Sequence, residues 1–154
     1  MDLQLFIDRL QEGQIEKFSH EIPPEALGLT DIDLSFTEKV SVSGTAYVAI
    51  DHLILKLQAD SKISMPCSIC NEQTEMKIEL SDFYHTELLS DISGGVFDFT
   101  QLLREDLLLQ VPHFTECNKG KCPERESITH YLKKETALAA TSNSGPTHYP
   151  FSNL

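Results

Sequence analysis

Apolar and polar residues alternate through most of the first half of the chain. Leu3, Leu5 and Ile7 are interleaved with polar residues apart from Phe6, which predicts a short strand. Glu12-Gly13-Gln14 reads as a turn and Ile15 to Phe18 as a second extended piece. Ile22-Pro23-Pro24-Glu25 blocks strand and helix alike, because proline lacks an N–H and restricts the residue before it. Glu25 to Leu29 is left to form one helical turn before Asp31. From Thr37 onward the period is two. Val40, Val42, Ala46, Val48 and Ile50 share one face, and Lys39, Ser41, Ser43, Thr45, Tyr47 and Ala49 the other. Gly44 interrupts the apolar face and marks a bulge or a close backbone approach. After Asp51-His52, Leu53, Leu55, Leu57 and Ala59 alternate again, as expected of an antiparallel hairpin partner. That strand runs through Ser64-Met65-Pro66 to Cys67, and Met76, Ile78 and Leu80 alternate with Glu75, Lys77 and Glu79 as the next strand.

The period then changes. Asp91 to Gly95 reads as a loop, Asp98 as a helix N-cap, and Gln101 as its capping-box partner. Leu102, Leu103, Leu107, Leu108 and Val111 follow at helical spacing, with Arg104, Glu105, Asp106 and Gln110 on the opposite side, and Pro112 ends the helix. Residues 136–154 have little apolar content and read as a flexible tail, in which Tyr149, Pro150 and Phe151 are the only candidate docking motif. The expectation is a single β-rich α+β domain over residues 1–135, with an antiparallel sheet and one main helix.

Charge narrows the range of partners. The formal net charge is −12, and the acids concentrate in residues 1–36 and 71–112. An acidic surface repels phosphate backbones, so a broad nucleic-acid footprint is disfavoured and a basic protein partner is easier to accept. No run of about 18 apolar residues would span a membrane. Met1 to Leu10 carries Asp2 and Asp8 and no basic leader, so the expected location is the cytoplasm.

In that compartment thiols stay reduced, which gives the cysteines their meaning. All four fall in two close pairs, Cys67-Ser68-Ile69-Cys70 and Cys117-Asn118-Lys119-Gly120-Lys121-Cys122. The two-residue spacing lets a tight turn aim both sulfurs at one point. The four-residue spacing is looser, and Gly120 permits the extra bend. Cys67, Cys70, Cys117 and Cys122 are therefore expected to form a structural Zn²⁺ site, a knuckle that closes a long loop between distant segments. A Cys₄ iron–sulfur centre uses the same ligand set. Redox chemistry and unrelated buried thiols are the other readings. The first pair lies between strands rather than at a helix N-terminus, the usual setting of a reactive thiolate.

Catalysis finds little support, and the expectation is a protein that is not an enzyme. Four cysteines would close the shell of a zinc ion, which an open catalytic site does not do. No His-x-Glu accompanies them, and Gly94-Gly95 alone makes no phosphate loop. His113 is near Cys117 in sequence and is a candidate replacement ligand, although a surface histidine is the commoner outcome.

The order of these features resembles the YceD-like family of bacterial and plastid proteins, over roughly residues 1–125. The shared pieces are an early β-rich segment, the Cys67 to Cys70 pair after a strand, an acidic stretch, the helix from Asp98 to Pro112 (D-F-T-Q-L-L-R-E-D-L-L-L-Q-V-P), and close cysteines followed by Pro123. The chain departs from the family after the second pair, where Pro123-Glu124-Arg125-Glu126 replaces a further Cys-Gly and an Asn-rich turn. The resemblance implies a role in large-subunit ribosomal RNA accumulation or processing, with a ribosomal protein or pre-ribosomal particle as partner. Local ribosomal RNA contact would fall on the basic-leaning region, Lys119, Lys121 and Arg125, with Lys133 and Lys134 beyond it. Two alternatives stay open: a thiol redox or metal-dependent enzyme, and a general protein-interaction adaptor.

Overall fold

The computed structural model describes residues 3–10, 13–30 and 33–138, with side chains as far as Tyr131. The strands are β1 (Gln4–Phe6), β2 (Ile15–Ile22), β3 (Ser35–Phe36), β4 (Val40–Ala49), β5 (His52–Pro66), β6 (Gln73–Leu88) and β7 (Val96–Asp98), and the long two-residue periodicity becomes the long β4 and β5. The helices are α1 (Thr100–Leu109), the one-turn α2 (Cys117–Gly120) and α3 (Arg125–Leu138). The fold is α+β and strand-rich, as its periodicity predicts.

In the main sheet β2 pairs with β4, β4 and β3 pair with one side of β5, and β6 pairs with the other, all antiparallel. A second, two-stranded ladder joins β1 to β7. One face of the main sheet is apolar. Val40, Val42, Leu53, Leu55 and Ile63 are almost fully buried there, in one cluster with Leu3, Leu10, Phe99, Leu103 and Leu107 from the N-terminal segment and α1. The other face meets solvent, an arrangement that antiparallel sheets accept readily.

Gly44 is a close approach. A Cβ there would stand 2.3 Å from the Lys56 carbonyl oxygen and 2.8 Å from the Phe18 ring. A bulge lies across β5 from it. Leu57 pairs with Phe83 but Ala59 pairs with Leu80, so Ser81 and Asp82 both face Gln58, and Asp82 adopts a left-handed φ of 55°.

Beyond the short strands β3 and β7 and the extension of β6 to Leu88, which the alternation does not mark, other elements depart from the sequence expectation. The β4–β5 turn is Ile50-Asp51, one residue earlier than expected, because Ala49 pairs with His52. Ile50 therefore leaves the apolar face and stands at the tip, 99% exposed. β2 extends to Ile22, and inward-facing Glu16 and His20 had hidden its alternation. Gln101 donates to Glu105 at 2.8 Å and completes no capping box, while Asp98 accepts the Thr100 N–H at 2.9 Å, just ahead of the Phe99 N-cap. α3 was not anticipated, and it runs past residue 135 to Leu138. Its exposed Tyr131 and polar neighbours give little core signal. Residues 139–154, including the Tyr149-Pro150-Phe151 motif, lie outside the described residues.

Candidate metal centre

The first cysteine pair occupies the turn at the end of the β5–β6 hairpin. Pro66 and Gln73 form the last strand pair, and the Cys67 N–H donates to the Glu72 carbonyl at 2.8 Å. The Asn71 N–H donates back to the Cys67 carbonyl at 2.9 Å, with Asn71 left-handed at φ 63°. Asparagine tolerates that conformation better than most side chains do. The turn thus brings Cys67 and Cys70 to the same side.

The second pair arrives by a backbone clasp. After α1 and Pro112 the chain passes the hairpin tip, where the Ser68 N–H donates to the Thr115 carbonyl at 2.8 Å. The Thr115 N–H in turn donates to Ser68 Oγ at 3.3 Å, and Thr115 is buried. Two residues later the Cys117 N–H points at Cys67 Sγ, 3.3 Å away. Asn118, Lys119 and Gly120 then adopt left-handed φ values of 53°, 55° and 83°, which turns the chain back and delivers Cys122. The Arg125 guanidinium grips the Glu116 carboxylate through both Nε and Nη2 and so braces the two ends of this loop.

The four Sγ atoms of Cys67, Cys70, Cys117 and Cys122 all lie within 4.8 Å of one another. Cys70 and Cys117 are 3.6 Å apart, and all four cysteines are free. A tetrahedral ion with metal–sulfur bonds of about 2.3 Å needs sulfur–sulfur edges of about 3.8 Å. The cluster is therefore the right size for one metal ion, and only small inward shifts would close the shell. Cys67, Cys117 and Cys122 are buried, with Ile69 and Cys70 packed against them.

The thiols also differ electrostatically. Backbone N–H groups of Cys70 and Cys117 lower the Cys67 thiol to about 6. Burial pushes Cys117 up, helped by the neighbouring cysteines, and burial likewise raises Cys122. The pocket therefore stabilises one thiolate through amide donors and leaves the buried thiols of the second pair with little to stabilise their charge. A divalent cation would supply that stabilisation, since metal ligation requires deprotonated sulfur.

Of the other residues read from the sequence, His113 is exposed and is not among the clustered ligand atoms. Lys119 and Lys121 are exposed on the metal-loop surface. Arg125 pairs with Glu116 at the base of the loop. The Ser68–Thr115 clasp left no sequence signal, since nothing in the residue types pairs positions 47 apart. No protein-family model, curated protein or solved structure matches this chain. Among the described residues no helix is long and apolar enough to cross a membrane.

Proposed function

We propose that the protein is a non-enzymatic accessory factor in large ribosomal subunit biogenesis whose fold is locked by a structural zinc ion. The observation that carries the zinc assignment is the convergence of four thiols within 4.8 Å. Four sulfur ligands favour zinc, and a single ion fits the spacing better than a multi-iron cluster, which sets its ligands farther apart. Four protein ligands leave no open position for substrate, which favours a structural role.

The ribosomal role rests on the YceD-like arrangement of residues 1–125 described above. Charge supports a protein partner: a chain of net charge −12 complements basic ribosomal proteins and would meet them quickly. Lys119 and Lys121 offer a local point of RNA contact beside the metal loop.

The test joins two measurements on the purified chain. Elemental analysis is expected to give about one zinc per chain, with loss of structure on chelation. Cosedimentation is expected to place the protein with pre-ribosomal particles. Failure to cosediment, with zinc present, would leave an interaction adaptor as the better reading. The thiol-enzyme reading draws on the lowered Cys67 thiol, but that side chain is only 2% exposed. Rapid stoichiometric alkylation of one cysteine in the native protein would favour it over a structural site.

A further inference from the structure

The solvent face of the main sheet has two unlike halves. Toward the cysteine end its charges interlock: Lys39 with Glu21 at 3.8 Å, and Lys77 with Asp60 at 3.6 Å and Glu79 at 2.6 Å. Toward the Ile50 turn the same face carries Lys17 and Lys56. Among the described residues, neither has a carboxylate within ion-pair distance.

Strand register makes these lysines part of one row. Lys17 faces Thr45, Thr45 faces Lys56, and Lys56 faces Tyr84. The Lys56 ammonium is 5.7 Å from the Tyr84 ring centroid and 6.0 Å from that of Tyr47. Tyr84 is 56% exposed, so its ring is open to a ligand. Beside the row runs a trough of about 660 Å³, lined by Lys17, Ser43, Thr45, Lys56, Gln58 and Tyr84. Asp82, held left-handed by the bulge, is the only carboxylate among its described lining residues.

We propose that this row is a binding site for single-stranded nucleic acid, separate from the cysteine site. The chemistry matches a splayed strand. Tyr47 and Tyr84 lie on strands either side of β5, about 10 Å apart at the usual strand spacing, and offer two faces for unstacked bases. Lys56 sits between them where a linking phosphate would pass, and Lys17 meets the next. Ser43, Thr45 and Gln58 supply neutral hydrogen-bonding groups. A shallow trough across four strands suits a segment of polymer better than a small ligand, which pockets usually enclose. A duplex hides its base faces and cannot use the tyrosines. The net charge of −12 opposes approach, but beyond about 8 Å it is screened at physiological salt, so the predicted binding is weak and strongly salt-dependent.

The proposal does not depend on the ribosomal reading, because an unstructured strand of any origin satisfies it. The test is fluorescence anisotropy of a short labelled oligouridylate with the full zinc-loaded chain. A matched duplex, inorganic polyphosphate and polyglutamate serve as competitors. Lys17→Glu combined with Lys56→Glu is expected to weaken binding about tenfold or more and to lower the salt slope by about 1.4. Tyr84→Ala is expected to cost about fivefold or more, and Tyr84→Phe to retain affinity. Lys39→Gln, at the interlocked end of the same face, is expected to leave the affinity nearly unchanged. Absence of binding, an equal loss with Lys39→Gln, or indifference to Tyr84→Ala would each overturn the proposal. Stronger competition by polyphosphate or polyglutamate would overturn it too. None of these outcomes bears on cosedimentation with ribosomal precursors, so the two readings fail separately.

Discussion

Gly44 and Ile50 lie on the same hairpin and carry opposite consequences. At Gly44 an added methyl would meet the Lys56 carbonyl at 2.3 Å and the Leu57 Cα at 2.9 Å, both of them backbone. Neither can retreat without opening the β4–β5 ladder. Gly44→Ala is expected to destabilise the protein by about 1–3 kcal/mol, read as a lower urea midpoint at unchanged slope. Ile50 holds a φ of 60° with its side chain in solvent. A β-branched residue in that conformation costs about 1–2 kcal/mol and gains nothing from burial. Ile50→Asn is expected to raise stability by about 1 kcal/mol in the same assay, since asparagine is at ease in left-handed hairpin turns.

Asp98 governs how β7 passes into α1. Hydrogen bonds from Thr100, first its side chain and then its backbone, hold the Asp98 carboxyl below the ordinary aspartate range, and Gln4 adds a third. A carboxyl with a lowered folded pKa stabilises the fold above its unfolded pKa, near 3.9, and that contribution fades as pH falls through the folded value. Asp98→Asn keeps an acceptor for the Thr100 N–H but has no charge to lose. The stability gap between wild type and Asp98→Asn, followed by urea titration, is expected to shrink as pH drops below about 4. A gap that stays constant with pH would remove Asp98 from the acid response. The elements themselves were mostly legible in the chain. β4, β5, β6 and α1 alternate or repeat cleanly because each has one buried side. β2 was underestimated because its inward positions include Glu16 and His20, and α3 was missed because its described side chains bury little.

The metal site was legible as four residues but not as a geometry. Cysteine spacing marked the ligands, whereas the clasp of Thr115 on Ser68 and the left-handed path through Asn118 and Lys119 depend on contacts across the fold. Removing one late ligand should therefore act regionally. Cys117→Ala is expected to raise amide exchange in the 113–124 segment while β4 and β5 stay protected, which mass spectrometry of exchanged peptides would register. The two halves of the site are also expected to form at different times. Cys67 and Cys70 come with a hairpin whose contacts are local, whereas Cys117 is 47 residues downstream of Cys70 and is expected to dock only once the sheet and α1 exist. An ion captured there acts as a latch that falls after assembly. Its concentration should slow the escape of the chain from the native state while leaving the rate of entry almost untouched.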